Sequence, residues 1–523
     1  MKMCKQQKVS RILTLCGAAA TSLLLWGCSG AGATTESFER SDYYTRGIGQ
    51  YPGNPKEDFS PDLAPDKSNY RNIALLRSAF NSSSHDYNLT AQLVTDGIVT
   101  DQQPQYLILS TPAGEAPRRE REWMIDEGPY SRNTFEGADT WFQFALKNYS
   151  KSVDKLSLVG NLVYDDKLAK DGFEIVCEGS DDGQNWTEVG RLSGKGLPGE
   201  AVRFRVPVTD PNKQTEQISM PVRKLNETIS FDKEATYSNY RVSLKMPGAH
   251  SWVFMAADFY NKGGLVEMKP SQFFNSSWMS ATTGEEWLYV DLGSRSEFDK
   301  VILHWINKAV KGKVQVSDDA VQWTDAAELP GGESLKDEIA LGGSKKARYV
   351  RVLMQQPAND SRYILSELEV MGKGGLVPQP VAAPAISQGN INLSGGNWKL
   401  QRASEVNAAG EKISTPDFQP ENWIVATVPG TVLSSYKNIG AVADPNYADN
   451  QLQISESFFN SDFWYRDEFE MPADFKQERL FLNFDGINWK ANVYVNGRKI
   501  GRVEGAFMRG KFDVTDLIVP GKN

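Results

Sequence analysis

This 523-residue sequence predicts an all-β chain built from successive β-sandwich modules. Three observations carry that prediction. From about Tyr70 onward, short alternating apolar runs are separated by Gly, Asn, Asp and Pro turns, the spacing of sandwiches and barrels. Nowhere do apolar residues sustain a 3.6-residue period. A strand-turn-Trp pattern also occurs twice, Ser180-Asp181-Asp182-Gly183-Gln184-Asn185-Trp186 returning as Ser317-Asp318-Asp319-Ala320-Val321-Gln322-Trp323. Each copy follows an alternating run, and the Asp pair with its small neighbours suits a tight turn. Downstream, Asn239-Tyr240-Arg241-Val242 parallels Arg348-Tyr349-Val350-Arg351-Val352. Two homologous β-domains in tandem, the first with an inserted loop, account for the repeat.

The elements follow in chain order. Lys2, Lys5, Lys8 and Arg11 precede an almost uncharged apolar stretch from Ile12 to Trp26, too short to span a bilayer comfortably. It ends in Leu25-Trp26-Gly27-Cys28, which resembles a lipobox. The resemblance implies that residues 1–28 are a lipoprotein signal, that Cys28 is acylated, and that the chain is exported and anchored to a bacterial membrane. Periplasmic face and cell surface both stay open. Residues 29–69 are rich in Gly, Ser, Thr, Asp and Pro and read as a flexible tether. Cys4 and Cys16 leave with the signal, so only Cys177 remains in the mature chain. It sits in the apolar run Phe173-Glu174-Ile175-Val176-Cys177 and reads as an inert buried thiol. A net charge of −9 without a basic block argues against nucleic acid as a partner. Three histidines, His85, His250 and His304, argue against a His-rich metal site or a His-based triad. Gly194-Lys195-Gly196-Leu197-Pro198-Gly199 fits the dinucleotide string but leads into a strand-like run, so no nucleotide site is implied.

The two β-domains are expected at 70–263 and 264–372. The second contains Ser277-Trp278, Trp287-Leu288-Tyr289-Val290-Asp291-Leu292-Gly293, Val301-Ile302-Leu303-His304-Trp305 and Leu365-Ser366-Glu367-Leu368-Glu369-Val370. In that order, with the Arg348–Val352 run, these motifs resemble the discoidin fold of coagulation-factor C-type domains and family 32 carbohydrate-binding modules. The first copy keeps Thr95-Asp96-Gly97, Trp141-Phe142-Gln143-Phe144 and the Trp186 turn. The resemblance implies jelly rolls whose loops hold sugar through an exposed aromatic and a few polar groups. Trp278, Trp287, Trp305 and Trp323 read as core. Trp123, in the charged stretch from Arg118 to Asp126, is the freer aromatic and the better candidate for a sugar contact, although the favoured reading of that stretch is a plain solvated loop. Such domains often hold a structural calcium in an acidic loop, whose residues one sequence does not locate. No other cofactor is expected.

After a Pro/Gly linker at 373–390, residues 391–523 change character. Trp423-Ile424-Val425-Ala426-Thr427-Val428-Pro429-Gly430-Thr431-Val432-Leu433, Asp444-Pro445-Asn446-Tyr447-Ala448-Asp449-Asn450, Phe463-Trp464-Tyr465-Arg466 and Val493-Tyr494-Val495-Asn496-Gly497 occur in order. Asn496-Gly497 between alternating runs is hairpin chemistry. The block resembles the N-terminal sugar-binding jelly roll of glycoside hydrolase family 2, toward its β-mannosidase and exo-β-glucosaminidase branch. It reads as incomplete at its C-terminal edge.

That resemblance implies a non-catalytic domain, with chemistry in a later (β/α)₈ barrel carrying two glutamates. No catalytic residue is therefore assigned within the 523 residues, and Asn226-Glu227 is read as a chance match to the family's acid/base dipeptide. It also implies that Asp444, Tyr447, Asp449 and Asn450 shape a sugar subsite. A turn-rich loop stabilised by its own Asx and Pro residues is the equal alternative. The expected function is the carbohydrate-binding part of a lipid-anchored β-glycosidase acting on a polysaccharide or glycan. The alternative is a non-catalytic glycan-binding lipoprotein.

Overall fold

The computed structural model describes residues 58–523 apart from 116–132, 137–138, 165–171, 195–199, 208–214, 246–248, 267, 269–273, 383, 385, 388, 396, 476–478 and 507. It divides into two compact units. One comprises Leu63–Pro378 with Ile439–Ser461, the other Gln379–Asn438 and Asp462–Asn523 with the N-terminal residues. The all-β expectation holds: almost every element is an antiparallel strand.

Within the first unit, the chain opens with β1 (Leu63–Pro65), β2 (Arg71–Asn72), β3 (Ala79–Asn81) and a 3-10 helix, Ala91–Thr95. Twelve strands follow: β4 (Tyr106–Thr111), β5 (Gly114–Glu115), β6 (Asn133–Glu136), β7 (Asp139–Lys147), β8 (Lys151–Tyr164), β9 (Phe173–Ser180), β10 (Thr187–Gly194), β11 (Glu200–Pro207), β12 (Thr215–Tyr237), β13 (Asn239–Lys245), β14 (Ala249–Asn261) and β15 (Gly264–Val266). These form two six-stranded sheets, β10-β9-β13-β7-β4-β5 and β11-β12-β8-β14-β15 with β6 beside β14. Strict alternation puts Phe142, Phe144, Ile175, Cys177, Val242 and Leu244 inward, against Leu156, Leu158 and Phe259 of the facing sheet. Cys177 is free and buried, as its apolar run predicts, and burial pushes its thiol well above the usual range.

The second jelly roll contains β16 (Trp278–Met279), β17 (Glu286–Asn307), β18 (Ala309–Ser317), β19 (Thr324–Glu328), β20 (Lys336–Pro357) and β21 (Ile364–Lys373). Two long strands supply both layers. Residues 286–291 of β17 pair with the end of β20, then a register shift at Asp291/Ser296 turns the strand, and 296–304 pair with the start of β20. Gly293, at φ 76°, sits in that turn, where a left-handed backbone suits a residue without Cβ. Leu288, Val290, Val301, Leu303, Val350, Val352, Leu368 and Val370 close the core over Trp278 and Trp305.

Strand pairing corrects the expected boundary at 263/264. β2 pairs with β21, and β3 pairs with β17, so residues 71–81 belong to the second jelly roll. Ile73, Ala74, Ala79, Ala91 and Val94 lie in its core. The first sandwich is thus inserted between Thr95 and Trp278, and the two β-domains are nested. Its entry and exit are joined by Asn275 Nδ2 donating to Gln102 O at 3.0 Å. Both expected linkers also contain paired backbone: β1, from the tether, is antiparallel to β22 (Leu376–Pro378), from the Pro/Gly segment. Pro65 and Pro378 terminate this ribbon, where a missing N–H is tolerated.

Gly312, in β18, is buried against β20, and a methyl group there would overlap the Leu353 carbonyl oxygen and the Leu329 side chain. Gly312→Ala is expected to cost about 1–3 kcal/mol through overpacking, read as a lower urea midpoint for the jelly roll.

The other unit packs short sheets around Leu400, Ile424, Tyr436, Val493, Val503 and Val514. Lys399–Arg402 lies between Ile424–Val425 and Phe463–Arg466. Among its described residues, α1 (Gly410–Ile413) and α2 (Val432–Asn438) are α-helices, preceded by a 3-10 turn at Ala403–Glu405. The Asn-Gly hairpin forms as predicted: Lys490–Val495 pairs with Arg498–Glu504, with Asn496 at φ 46° and Gly497 at φ 82°. Among the described residues, no helix is long and apolar enough to cross a membrane.

Candidate functional site

Residues 444–450 form a solvent-facing turn within Ile439–Ser461, ahead of the 3-10 helix Asn450–Gln453 and α3 (Glu456–Phe459). Asp444 organises it. Its Oδ1 accepts from Asn446 N at 3.0 Å, and its carbonyl accepts from Tyr447 N at 3.1 Å and Asn450 Nδ2 at 3.0 Å. Asn450 N donates to Tyr447 O at 3.2 Å, so three of the four residues singled out in this loop are linked through one small turn. Ala448, at φ 49°, completes the reversal. The result is an Asx-supported loop that leaves Tyr447 72% exposed and Asp449 exposed. An aromatic ring beside carboxylate and amide groups can stack on a sugar and bind its hydroxyls. Trp123 and Cys28 lie outside the described residues.

A second feature escaped the sequence reading. On the outward face of β17, Tyr289 stacks between Phe80, at 4.9 Å and 22°, and Trp287, at 5.4 Å and 20°. Trp323 and Tyr349 border it at 5.5 and 6.0 Å. Trp278 and Trp305 are core as expected, whereas Trp287 and Trp323 are only half-buried, correcting that expectation. Trp287 alternates with inward Leu288 on its strand. Trp323 returns from its turn onto Arg351, whose guanidinium lies 4.2 Å from the ring centroid while Nε donates to Gln315 Oε1. The first sandwich repeats this arrangement, with Arg241 4.0 Å from Trp186 and donating to Gln143 Oε1. Both repeated turns have the same chemistry. Asp182 Oδ1 accepts from Gln184 N and Asn185 N, and Asp319 Oδ1 from Val321 N and Gln322 N. The Trp287-x-Tyr289 spacing was the signal available for this face, since alternate residues share one side of a strand.

Glu367 is 1% exposed, and its carboxylate makes no well-formed hydrogen bond, only the Gly97 N–H approaching it. Burial first, then the charges of Asp96 and Glu369, push its pKa well above the ordinary 4.5, with Gly97 N–H opposing weakly. Asp96 Oδ2 accepts from Ser276 Oγ at 2.6 Å and Oδ1 from Ile98 N at 2.9 Å. Asn226 and Glu227 lie inside β12, opposite Val159 and Leu158.

The two family-model matches agree with this architecture. Residues 398–523 match the glycosyl hydrolase 2 galactose-binding domain-like family, and residues 260–368 match the F5/8 type C domain. An exo-beta-D-glucosaminidase of Streptomyces avermitilis is 34% identical over 149 residues, covering 28% of this chain and 16% of that protein. A mannosylglycoprotein endo-beta-mannosidase of Lilium longiflorum is 34% identical over 134 residues, covering 24% of this chain and 14% of that protein. The chain therefore spans at most 16% of the length of these two relatives. Chitosan-binding module 1 of a Paenibacillus sp. IK-5 chitosanase/glucanase is 30% identical across 20% of this chain and 84% of the module, with a TM-score of 0.18. Residues 398–523 are a glycosyl hydrolase 2 galactose-binding domain-like module, following an F5/8 type C module matched at 260–368 that borrows strands β2 and β3 from before its insertion.

Proposed function

We propose that this chain is the glycan-binding part of an exported, lipid-anchored β-glycosidase whose chemistry is done by a barrel outside these 523 residues. The observation that carries this is the 398–523 match, shared with proteins named for hydrolysis of β-glucosaminides and β-mannosides. Retaining hydrolysis needs two carboxyl groups about 5–5.5 Å apart flanking the bond, usually mounted on a barrel of roughly 250 residues. The antiparallel modules here would instead hold the glycan, with 444–450 shaping one subsite and Cys28 fixing the assembly to the membrane.

The test is expression from the native locus through and beyond codon 523, with assay on aryl β-mannoside and aryl β-glucosaminide. Turnover by the longer product supports the proposal. Sugar binding by the 523-residue chain, with no turnover by any native product, leaves a non-catalytic glycan-binding lipoprotein instead. Tyr447→Ala is expected to weaken binding of a glucosamine or mannose oligomer about tenfold, or about 1.4 kcal/mol, measured by calorimetric titration.

Glu367, with Asp96 nearby, would supply the ligands we propose for a structural calcium in a discoidin-type domain. A buried carboxylate so poorly hydrogen-bonded calls for a proton or a cation, and oxygen donors suit calcium. Among the described residues no three acidic, His or Cys side chains converge, so backbone carbonyls or water would complete the shell. Bound there, the ion would tie β21 to the turn after Ala91–Thr95.

A further inference from the structure

The subsite loop belongs by sequence to the 398–523 match, yet its anchors lie on the N-terminal elements of the F5/8 type C jelly roll. On its leading side, buried Arg77 donates from Nη1 to Ile439 O at 2.7 Å and from Nη2 to Leu376 O at 3.2 Å. Ser78 donates to Gly440 O through N at 2.9 Å and Oγ at 3.1 Å. On its trailing side, Asn81 N donates to Gln453 Oε1 at 3.2 Å, and Ser455 N to Gln92 Oε1 at 2.9 Å. Ser455 Oγ donates to Asn88 O at 2.7 Å, and Glu456 N to Tyr87 O at 2.8 Å. Phe458 meets Phe274 edge-on at 5.9 Å. Between these anchors the turn is closed by its own hydrogen bonds and holds Tyr447 out to solvent.

We propose that Arg77, Gln92 and Gln453 are positioning residues for the sugar-contacting loop, and that the jelly roll is the mount on which this loop is held. The physical argument is one of entropy. A free loop of this length would lose about 1–2 kcal/mol per residue of backbone freedom on meeting sugar. Clamping both ends to a rigid sheet removes much of that loss beforehand, which is how preorganisation raises affinity. Arg77 suits the task because its planar fork reaches two carbonyls from one buried position. The coupling makes glycan affinity at 444–450 depend on residues of the same compact unit that lie far away in the sequence. It rests on the reading that this loop contacts sugar.

The experiment uses the full 523-residue chain with Arg77→Met, Gln453→Ala and Gln453→Glu, the last retaining the oxygen acceptor for Asn81 N. Hydrogen exchange of peptides covering 441–452 is read together with titration by a glucosamine trimer and a mannose trimer. Arg77→Met and Gln453→Ala are expected to speed exchange there about tenfold and weaken binding about tenfold. Gln453→Glu should restore both, while β17 and β20 amides keep wild-type protection. Should Arg77→Met not fold, the half-exposed Gln453 pair carries the test alone. Unchanged loop exchange, or faster exchange with unchanged affinity, overturns the positioning role. Absence of binding by the wild type to either trimer overturns the sugar reading instead, while exchange alone still judges the mount.

Discussion

Asp337→Ala is expected to cost the second jelly roll about 3–5 kcal/mol, the usual penalty for breaking a buried ion pair from one side. Lys308 Nζ lies 2.6 Å from Asp337 Oδ1, and the two side chains are 2% and 3% exposed. The second oxygen accepts from Trp305 Nε1 at 2.9 Å, while Lys308 also donates to Ser334 O at 2.8 Å. One carboxylate therefore satisfies an ammonium and an indole in the same dry volume. Removing it strands both, and an orphaned buried donor costs its full desolvation. Asp337→Asn separates the contributions: the amide oxygen can still accept from Trp305 or Lys308, but the charge balance is gone. Replacing both partners, Lys308→Met with Asp337→Leu, should recover the part of the loss due to the stranded ammonium, because well-packed apolar groups often equal a buried pair, while Trp305 Nε1 stays without its acceptor. Urea unfolding followed by hydrogen exchange of β17 and β20 amides reads this module separately from its neighbours. A loss below about 1 kcal/mol for Asp337→Ala would mean that water reaches the pair.

How much of this was legible depends on what kind of information a residue carries. Alternation in Phe142-Gln143-Phe144 or Leu288-Tyr289-Val290 reports which face of a strand is inward, and Phe142, Phe144, Leu288 and Val290 are the buried members. Turn chemistry is also local. Asp182 and Asp319 build the same turn because each carboxylate caps two following N–H groups, and Asn496-Gly497 reverses the chain because both can adopt positive φ. Partner identity is not local. Ala79-Phe80-Asn81 pairs with Leu288-Tyr289-Val290 across some 200 residues of intervening chain, and nothing within the three-residue strand names its partner. For that reason Thr95-Asp96-Gly97 was assigned to the first β-domain, although the 3-10 helix before it packs in the second. The subsite loop shows the same division. Its Asx turn is readable in Asp444, Asn446 and Asn450, whereas its attachment to Arg77 and Gln92 exists only in three dimensions.

Calcium is expected to change the sign of this chain's response to pH, and Glu367 is the reason. Its folded pKa lies above the ordinary 4.5 because burial disfavours the charged form, and Asp96 and Glu369 add repulsion. The folded state then binds more protons than the unfolded state once pH exceeds the ordinary value. Stability from this group is complete below about pH 4.5 and declines as pH rises through the folded pKa. In chelator, the jelly roll's Tm should therefore fall between pH 5 and pH 7 by this contribution. A bound cation reverses the preference, since it needs the carboxylate ionised. At calcium a hundredfold above its Kd, the gain is about 2.7 kcal/mol, or roughly 10 °C for a jelly roll between the 60–100 and 150–250-residue size classes. That gain should grow with pH. Glu367→Gln removes the charge, so it should flatten the pH dependence in chelator and abolish the calcium shift together. Scanning calorimetry of wild type and variant, with calcium and with chelator at pH 5 and pH 7, distinguishes the cases. A wild-type Tm that declines with pH and ignores calcium would make Glu367 a protonated core carboxyl and remove the metal from the account. A calcium shift that survives Glu367→Gln would place the ion elsewhere in the chain.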